Sequence, residues 1–183
     1  MWKVLLAVIF VCASVTYASA DLSGEKTVFL VQADGSEVSI GTIKFTPDDD
    51  NTKFKFTLDE SKFAVYFLSM RNFNCYETSK QKVCYLPYPY KTHGQITKDD
   101  LRDLEYNLLF IRVLPDEYGI NAWNGIYYKL SLLDDGTVSG QLMNADLNVL
   151  AVPPDDPYAR PIVEGEMSVG NADKHQFPTL SIR

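Results

Sequence analysis

Histidine is scarce in this chain, which has only His93 and His175, and the motifs that usually surround a catalytic centre are missing. No serine lies in a Gly-x-Ser-x-Gly elbow, and no His-Glu-x-x-His, Gly-x-Gly-x-x-Gly or phosphate-loop pattern occurs. The usual sequence signals of triad hydrolases, zinc peptidases and nucleotide-binding enzymes are therefore absent. The sequence predicts no cofactor and no metal, and it favours a non-enzymatic role.

Basic clusters and long apolar segments are also missing from the body of the chain. The formal net charge is −7, and an acidic protein gains nothing from neutralising phosphates, so no nucleic-acid partner is expected. Beyond the N-terminus, no segment approaches the roughly 20 apolar residues that cross a bilayer, so no membrane insertion is expected. The longest acidic run, residues 48–50, lacks the glycine and glutamate of an EF-hand loop and is interpreted as a solvated turn.

The first twenty residues carry a targeting pattern. Lys3 precedes an apolar run over residues 4–15, and the small residues Ala18 and Ala20 follow it. A short basic start, a short apolar segment and small residues before a cleavage point are typical of a secretory signal. We predict that residues 1–20 are a cleaved signal peptide. Residues 21–183 are then a single mature domain that is periplasmic or secreted.

Two of the three cysteines, Cys75 and Cys84, lie in the predicted mature part. Two nearby thiols in an oxidising compartment favour a disulfide, and the polar stretch between them is typical of a hairpin turn. A loop of this length predicts about 2.7 kcal/mol of stabilisation from the lost entropy of the unfolded chain. The alternative is a metal site with His93, but two cysteines and one distant histidine leave a tetrahedral site incomplete.

Period-two alternation of apolar and polar residues recurs along the mature chain. Residues 53–58 alternate strictly, and residues 126–132 place Ile126, Tyr128, Leu130 and Leu132 on one face. Asp-Gly pairs at residues 34–35 and 135–136 supply hairpin turns, and a change of parity at Gly41 predicts a β-bulge. The pattern predicts a mostly-β, single-domain antiparallel β-barrel or β-sandwich.

One short α-helix is predicted around residues 98–107. Thr97 is its candidate cap, and Leu101, Leu104 and Leu108 form an apolar stripe. Farther along, the segment from Trp123 to Tyr128 leads into the Asp135-Gly136 hairpin. This combination resembles the strand pairs of small calycin-like barrels, and the resemblance implies a barrel fold without indicating a function.

The most unusual segment is Cys84-Tyr85-Leu86-Pro87-Tyr88-Pro89-Tyr90, followed closely by His93. Its prolines favour an extended backbone, in which alternate tyrosines can protrude beside the predicted disulfide. Tyrosine suits a protein interface or a sugar, and so does Trp123, which has polar neighbours. Tyr85, Tyr88, Tyr90, His93 and Trp123 are therefore the predicted binding residues for an unidentified protein or glycan partner. The alternative is that these rings pack onto the rim of the sheet.

Three functional hypotheses remain open. The leading one is an exported, non-enzymatic binding module of the cell envelope or extracellular space. The second is a lipocalin-like carrier, whose barrel encloses a small apolar ligand. The third is a hydrolase of extracellular polymer that uses His93 or two carboxylates, for which the candidates are Glu105, Asp116, Glu117 and Glu164.

Overall fold

All the described strands belong to one antiparallel sheet. The structure, a computed structural model, describes residues 22–183, so the predicted signal peptide and the start of the mature chain at Asp21 lie outside the described residues. Twelve strands occur in this part: β1 Gly24–Val31, β2 Glu37–Asp48, β3 Asn51–Leu58, β4 Ala64–Leu68, β5 Arg71–Glu77, β6 Lys82–Tyr85, β7 Gln95–Ile96, β8 Phe110–Val113, β9 Gly125–Leu132, β10 Val138–Ala145, β11 Ser168–Val169 and β12 Thr179–Ile182. The predicted mostly-β antiparallel class is confirmed.

The sheet curls over on itself but does not close. Its strand order is β4-β5-β6-β8-β9-β10-β12-β1-β2-β3-β7, with β11 beside β10. Strands β3 and β6 are far apart in this order, yet the rings of Phe56 and Tyr85 lie 5.7 Å apart between them. This contact brings the two halves of the sheet face to face. Strands β4 and β7 remain as its two ends, so the architecture is an open member of the barrel and sandwich class.

Alternation along the strands produces two apolar clusters, one on each face of the sheet. On β8, Phe110 belongs to the cluster inside the curl and Ile111 to the cluster outside it. On β9, Tyr128 points inward and Tyr127 outward in the same way. The outer cluster is covered by residues that follow β6 and by the segment around residues 147–162. Both faces of β8 and β9 are therefore buried.

The two Asp-Gly pairs make the same hairpin turn. Gly35 and Gly136 have φ angles of 83° and 80°, a left-handed conformation that glycine adopts without a steric penalty. In each turn the aspartate accepts a hydrogen bond from the backbone N–H two residues ahead, at 2.9 Å for Asp34 and 2.8 Å for Asp135. The turns fix the β1–β2 and β9–β10 registers.

The bulge predicted at Gly41 is confirmed by the register of β1 and β2. Val28 pairs with Gly41 whereas the next residue, Phe29, pairs with Ser39, so the β2 strand carries one extra residue. A Cβ atom on Gly41 would lie 2.2 Å from the carbonyl oxygen of Thr57. Glycine is needed here because β3 passes so close.

The predicted helix is present but shorter than expected. Helix α1 spans Arg102–Tyr106, and its neighbours Leu101 and Leu108 are buried with Leu104 as the apolar stripe predicted. Thr97 accepts a hydrogen bond from the N–H of Asp100 at 3.0 Å, so it caps the preceding turn rather than the helix. Within residues 22–183, no helix has the length and apolar character needed to span a membrane.

The predicted disulfide Cys75–Cys84 joins directly opposed residues of β5 and β6, whose Cα atoms are 3.9 Å apart. Both cysteines are fully buried in the outer cluster. The bond ties the β4–β5 hairpin to the covered half of the sheet.

We expect the double variant Cys75→Ala/Cys84→Ala to unfold with a free energy about 2.7 kcal/mol lower than that of the wild type, because the unfolded chain regains loop entropy. Urea denaturation followed by tryptophan fluorescence measures the difference. An unchanged midpoint would show that the disulfide adds no stability.

Candidate functional site

The tyrosines that follow the disulfide are turned toward the protein. Tyr85 is part of the inner cluster, and burial raises its pKa to about 12. The hydroxyl of Tyr88 donates to the carbonyl of Ala159 at 2.8 Å, and that of Tyr90 donates to the carbonyl of Leu150 at 2.7 Å. These bonds hold the distant covering segment against the sheet. The intervening prolines, not the tyrosine rings, face solvent.

The ring of Tyr106 joins these tyrosines to the outer cluster. Its centroid lies 4.7 Å from that of Tyr88 in an edge-to-face arrangement, and its hydroxyl accepts a hydrogen bond from the N–H of Ile162 at 2.8 Å. Tyr88 and Tyr90 also meet edge to face, at 5.5 Å. The aromatic rings and their hydroxyls therefore act together as the attachment points of the 147–162 segment.

His93 lies exposed beyond this tyrosine cluster. Its ring stacks on Tyr158 with a centroid separation of 4.5 Å and an interplanar angle of 9°. Nearby, the buried carboxylate of Asp103 accepts from the N–H of Gly94 and from Arg160, each at 2.9 Å. This ion pair anchors the loop that carries His93. Among the described residues, no carboxylate is hydrogen-bonded to His93, whereas a histidine general base usually has such a partner.

An apolar cleft of about 290 Å³ opens on the outer face of the sheet, where the tyrosine–proline segment meets two short 3₁₀ helices. Its lining includes Leu86, Pro87, Pro89, Ile111, Ile120 and Ala122, together with Leu147, Asn148, Leu150 and Ala151. Among the described residues that line the cleft, Arg71 alone carries a charge. The guanidinium of Arg71 lies 4.6 Å from the centre of the Phe73 ring, which fixes the cation at the wall.

Exposed apolar side chains gather beside this cleft. The N–H of Ile120 donates to the Ser69 hydroxyl at 3.0 Å, which places the tip of the β4–β5 hairpin next to the loop that lines the cleft. Met70 at the tip is 91% exposed, and Trp123 is 70% exposed in the same neighbourhood of the chain. We call Met70, Tyr118 and Trp123 the rim patch. Exposed apolar side chains grouped beside a cleft commonly mark an interaction site.

The hairpin tip is also conformationally strained. Ser69 and Met70 have φ angles of 49° and 68°, a left-handed conformation in which the two-residue turn normally uses asparagine and glycine. A non-glycine residue in this region costs on the order of 1 kcal/mol. The tip therefore keeps a large, exposed methionine at a position where glycine would be more stable.

Two of the carboxylates considered for a hydrolase, Glu105 and Glu164, line the same polar cleft of about 500 Å³, but both are already engaged in other contacts. Glu105 is only 1% exposed: Tyr127 donates its hydroxyl to one carboxylate oxygen, and the N–H of Leu130 donates to the other at 2.7 Å. Glu164 is exposed and paired with Lys129. Glu117 accepts from the N–H of Leu114 at 2.9 Å. The oxygens of Glu105 are engaged in holding α1 onto β9 and are out of reach of a polymer.

Glu105→Gln is expected to gain stability relative to the wild type as the pH rises. Burial raises the pKa of Glu105 above its ordinary 4.5, so the folded protein holds a proton that the unfolded chain has released. The wild type therefore has the full stabilising contribution from the raised pKa of Glu105 below pH 4.5 and loses part of that contribution as the pH rises. Urea unfolding of both proteins at about pH 4 and pH 7 measures this effect. An equal difference at both pH values would contradict it.

Another polar cleft, of about 310 Å³, lies between the β1–β2 turn, the β5–β6 turn and residues 172–176. His175 lines it and is only 7% exposed, and its Nδ1 is buried without a hydrogen-bond partner. Burial, followed by the charge of Arg112, lowers the pKa of His175 to about 4. The imidazole is therefore neutral at pH 7 and is not poised for proton transfer near that pH.

The wild type should lose stability between pH 6.5 and about pH 4, because over this range the unfolded chain binds a proton at His175 that the folded protein refuses. His175→Leu removes this part of the pH dependence and a buried polar atom that lacks a partner. We expect the variant to be more stable relative to the wild type at pH 4.5 than at pH 7, as measured by urea denaturation. Parallel pH curves would show that His175 is not the titrating group.

The interior of the curled sheet is filled by large side chains. Phe45, Phe110, Tyr128, Ile40, Ile43 and Leu180 are among the described residues with almost no exposed surface there. This packing gives no support to the hypothesis of an enclosed apolar ligand. The apolar cleft on the outer face is instead the best-formed site for an apolar partner.

Sequence reasoning identified some parts of this region and missed others. Of the predicted binding residues, Trp123 and His93 are exposed, Tyr88 and Tyr90 support the wall of the outer cluster, and Tyr85 lies inside the curl. The exposed Pro87 and Pro89 come from the predicted segment. Arg71, Ile120 and the 147–151 stretch were missed, because only tertiary structure brings them beside those prolines.

Comparison of the chain with known protein families, with curated proteins and with solved structures finds no match. Within residues 22–183, no group of three or more histidine, cysteine, aspartate or glutamate side chains is placed to hold a metal ion. The geometry of the cleft and of the rim patch is therefore the basis for a functional proposal.

Proposed function

We propose that the chain is an exported, non-enzymatic binding module that holds an extended segment of another protein in its apolar cleft. The observation that carries the proposal is the convergence of the cleft with the rim patch. A groove with apolar walls next to exposed aromatic residues supplies the buried centre and the surrounding contacts that protein interfaces need.

The chemistry of the cleft indicates what the bound segment contains. Leu86, Ile111 and Ile120 offer contacts to one apolar side chain, and Pro87 and Pro89 present rigid ring surfaces. Arg71 supplies the charge at the wall and suits a carboxylate on the partner. The expected occupant is therefore an extended peptide segment that carries an apolar anchor next to an acidic group.

Export belongs to the same proposal. The targeting pattern of residues 1–20 and the pairing of the fully buried Cys75 and Cys84 both suit an oxidising compartment. The partner would then be another protein of the cell envelope or extracellular space.

Ala151→Glu is the sharpest test, because Ala151 is exposed and lines the cleft, and the new carboxylate would repel the acidic group of the partner and disrupt the apolar wall. Peptides selected on the wild type from a displayed random library should contain apolar and acidic residues. Their affinity for Ala151→Glu, measured by titration calorimetry, should fall at least about tenfold, or about 1.4 kcal/mol.

The matched control is Ala172→Glu, which makes the same exchange at an exposed alanine of a polar cleft. It should bind the selected peptides as the wild type does, and both variants should unfold at the wild-type urea concentration. Failure to select any peptide, or equal binding by Ala151→Glu, would overturn the proposal.

A further inference from the structure

The two end strands of the sheet, β7 and β4, differ in what packs against them. Strand β7 is one end, and it pairs with β3 and packs against α1. Strand β4 is the other end, and its only described strand neighbour is β5. An end strand has a row of backbone N–H and C=O groups that can pair with a further strand.

Strand β4 lacks the features that normally protect an exposed edge. Residues 63–70 contain no charged residue and no proline, although charges and prolines are the usual means of blocking edge pairing. Each residue of β4 is exposed or half-buried. Val65 is 65% exposed and Phe67 is 74% exposed, so the strand presents β-favouring apolar side chains to solvent.

These two side chains lie on one face of the hairpin. Val65 pairs with Asn74 and Phe67 with Asn72 on β5, whereas Tyr66 shares the opposite face with the outer cluster. The face that carries Val65 and Phe67 is thus apolar on β4 and amide-lined on β5, and most of each apolar side chain lies in solvent.

We propose that β4 pairs antiparallel with β4 of a second copy of this chain, about a two-fold axis at Tyr66. In that register Val65 faces the partner's Phe67, and Phe67 faces the partner's Val65. Aromatic and β-branched residues are a favourable cross-strand pair, and here the pair forms twice on the same face. The two sheets join into one continuous sheet.

Self-complementarity favours a second copy over an unrelated strand. Asp59 and Glu60 precede β4 and outnumber the single basic residue there, Lys62, whereas Arg71 follows the other end of β4. Antiparallel pairing therefore brings the acidic end of one copy toward the basic end of the other, while the uncharged strands meet between them. Stable interfaces bury about 1,200–2,000 Å² of surface. Two paired strands of five residues each bury a smaller area, so the dimer should be reversible.

Phe67→Lys tests this dimer, since an exposed lysine on an edge strand opposes pairing without altering the core. Sedimentation velocity from micromolar to millimolar protein should show the wild type passing from monomer to dimer. Phe67→Lys should remain monomeric over the same range and unfold at the wild-type urea concentration.

Val169→Lys is the matched control, because Val169 is 60% exposed on the short strand β11. It should dimerise like the wild type, and so should Ala151→Glu, which separates this inference from peptide binding in the apolar cleft. A wild type that stays monomeric at millimolar concentration, or equal dimerisation by Phe67→Lys, would overturn the proposal. Library peptides that bind a monomeric wild type but not Phe67→Lys would also overturn it and assign the edge to another protein.

Discussion

The structure depends on covering the outer face of the half-sheet formed by β5, β6, β8 and β9. The inner face of β6, β8 and β9 is buried by the curl of the sheet itself, as the contact between Phe56 and Tyr85 shows. Within residues 22–183 no second sheet covers the outer face, which carries large apolar residues such as Ile111 and Tyr127. Leaving those residues in water would cost about 25 cal/mol for each Å² of apolar surface. Irregular segments therefore have to serve as the cover.

Irregular cover creates a problem of its own, because its backbone carbonyls approach an apolar surface where they need hydrogen-bond donors. Tyrosine meets both requirements: its ring adds to the apolar cluster, and its hydroxyl donates a hydrogen bond to a carbonyl. Tyr88 and Tyr90 do this for Ala159 and Leu150, which lie 71 and 60 positions away in sequence. Directing the tyrosines inward turns Pro87 and Pro89 outward, and the apolar cleft forms where the cover leaves part of the sheet exposed.

The same division explains what could be predicted from the sequence. Strand β9, the Asp-Gly hairpins and the bulge at Gly41 follow from period-two alternation and turn chemistry, which are local properties. The paired cysteines are also local, because a short hairpin brings them together. The inward direction of Tyr88 could not be predicted, since it depends on a carbonyl far along the chain. The prolines indicated an extended segment correctly, but extension alone does not say which face meets solvent.

The exposed face of β4 follows from the place where the interior ends. Tyr66 and Leu68 project to the outer face and join its cluster, so β4 is needed as part of the covered surface. Val65 and Phe67 project to the other side, beyond the point at which β3 contacts β6, and they lie in solvent. A strand that buries only one of its two faces usually carries polar residues on the other. Here that face is apolar and the strand edge is uncharged, which is the combination expected of a surface that meets another strand.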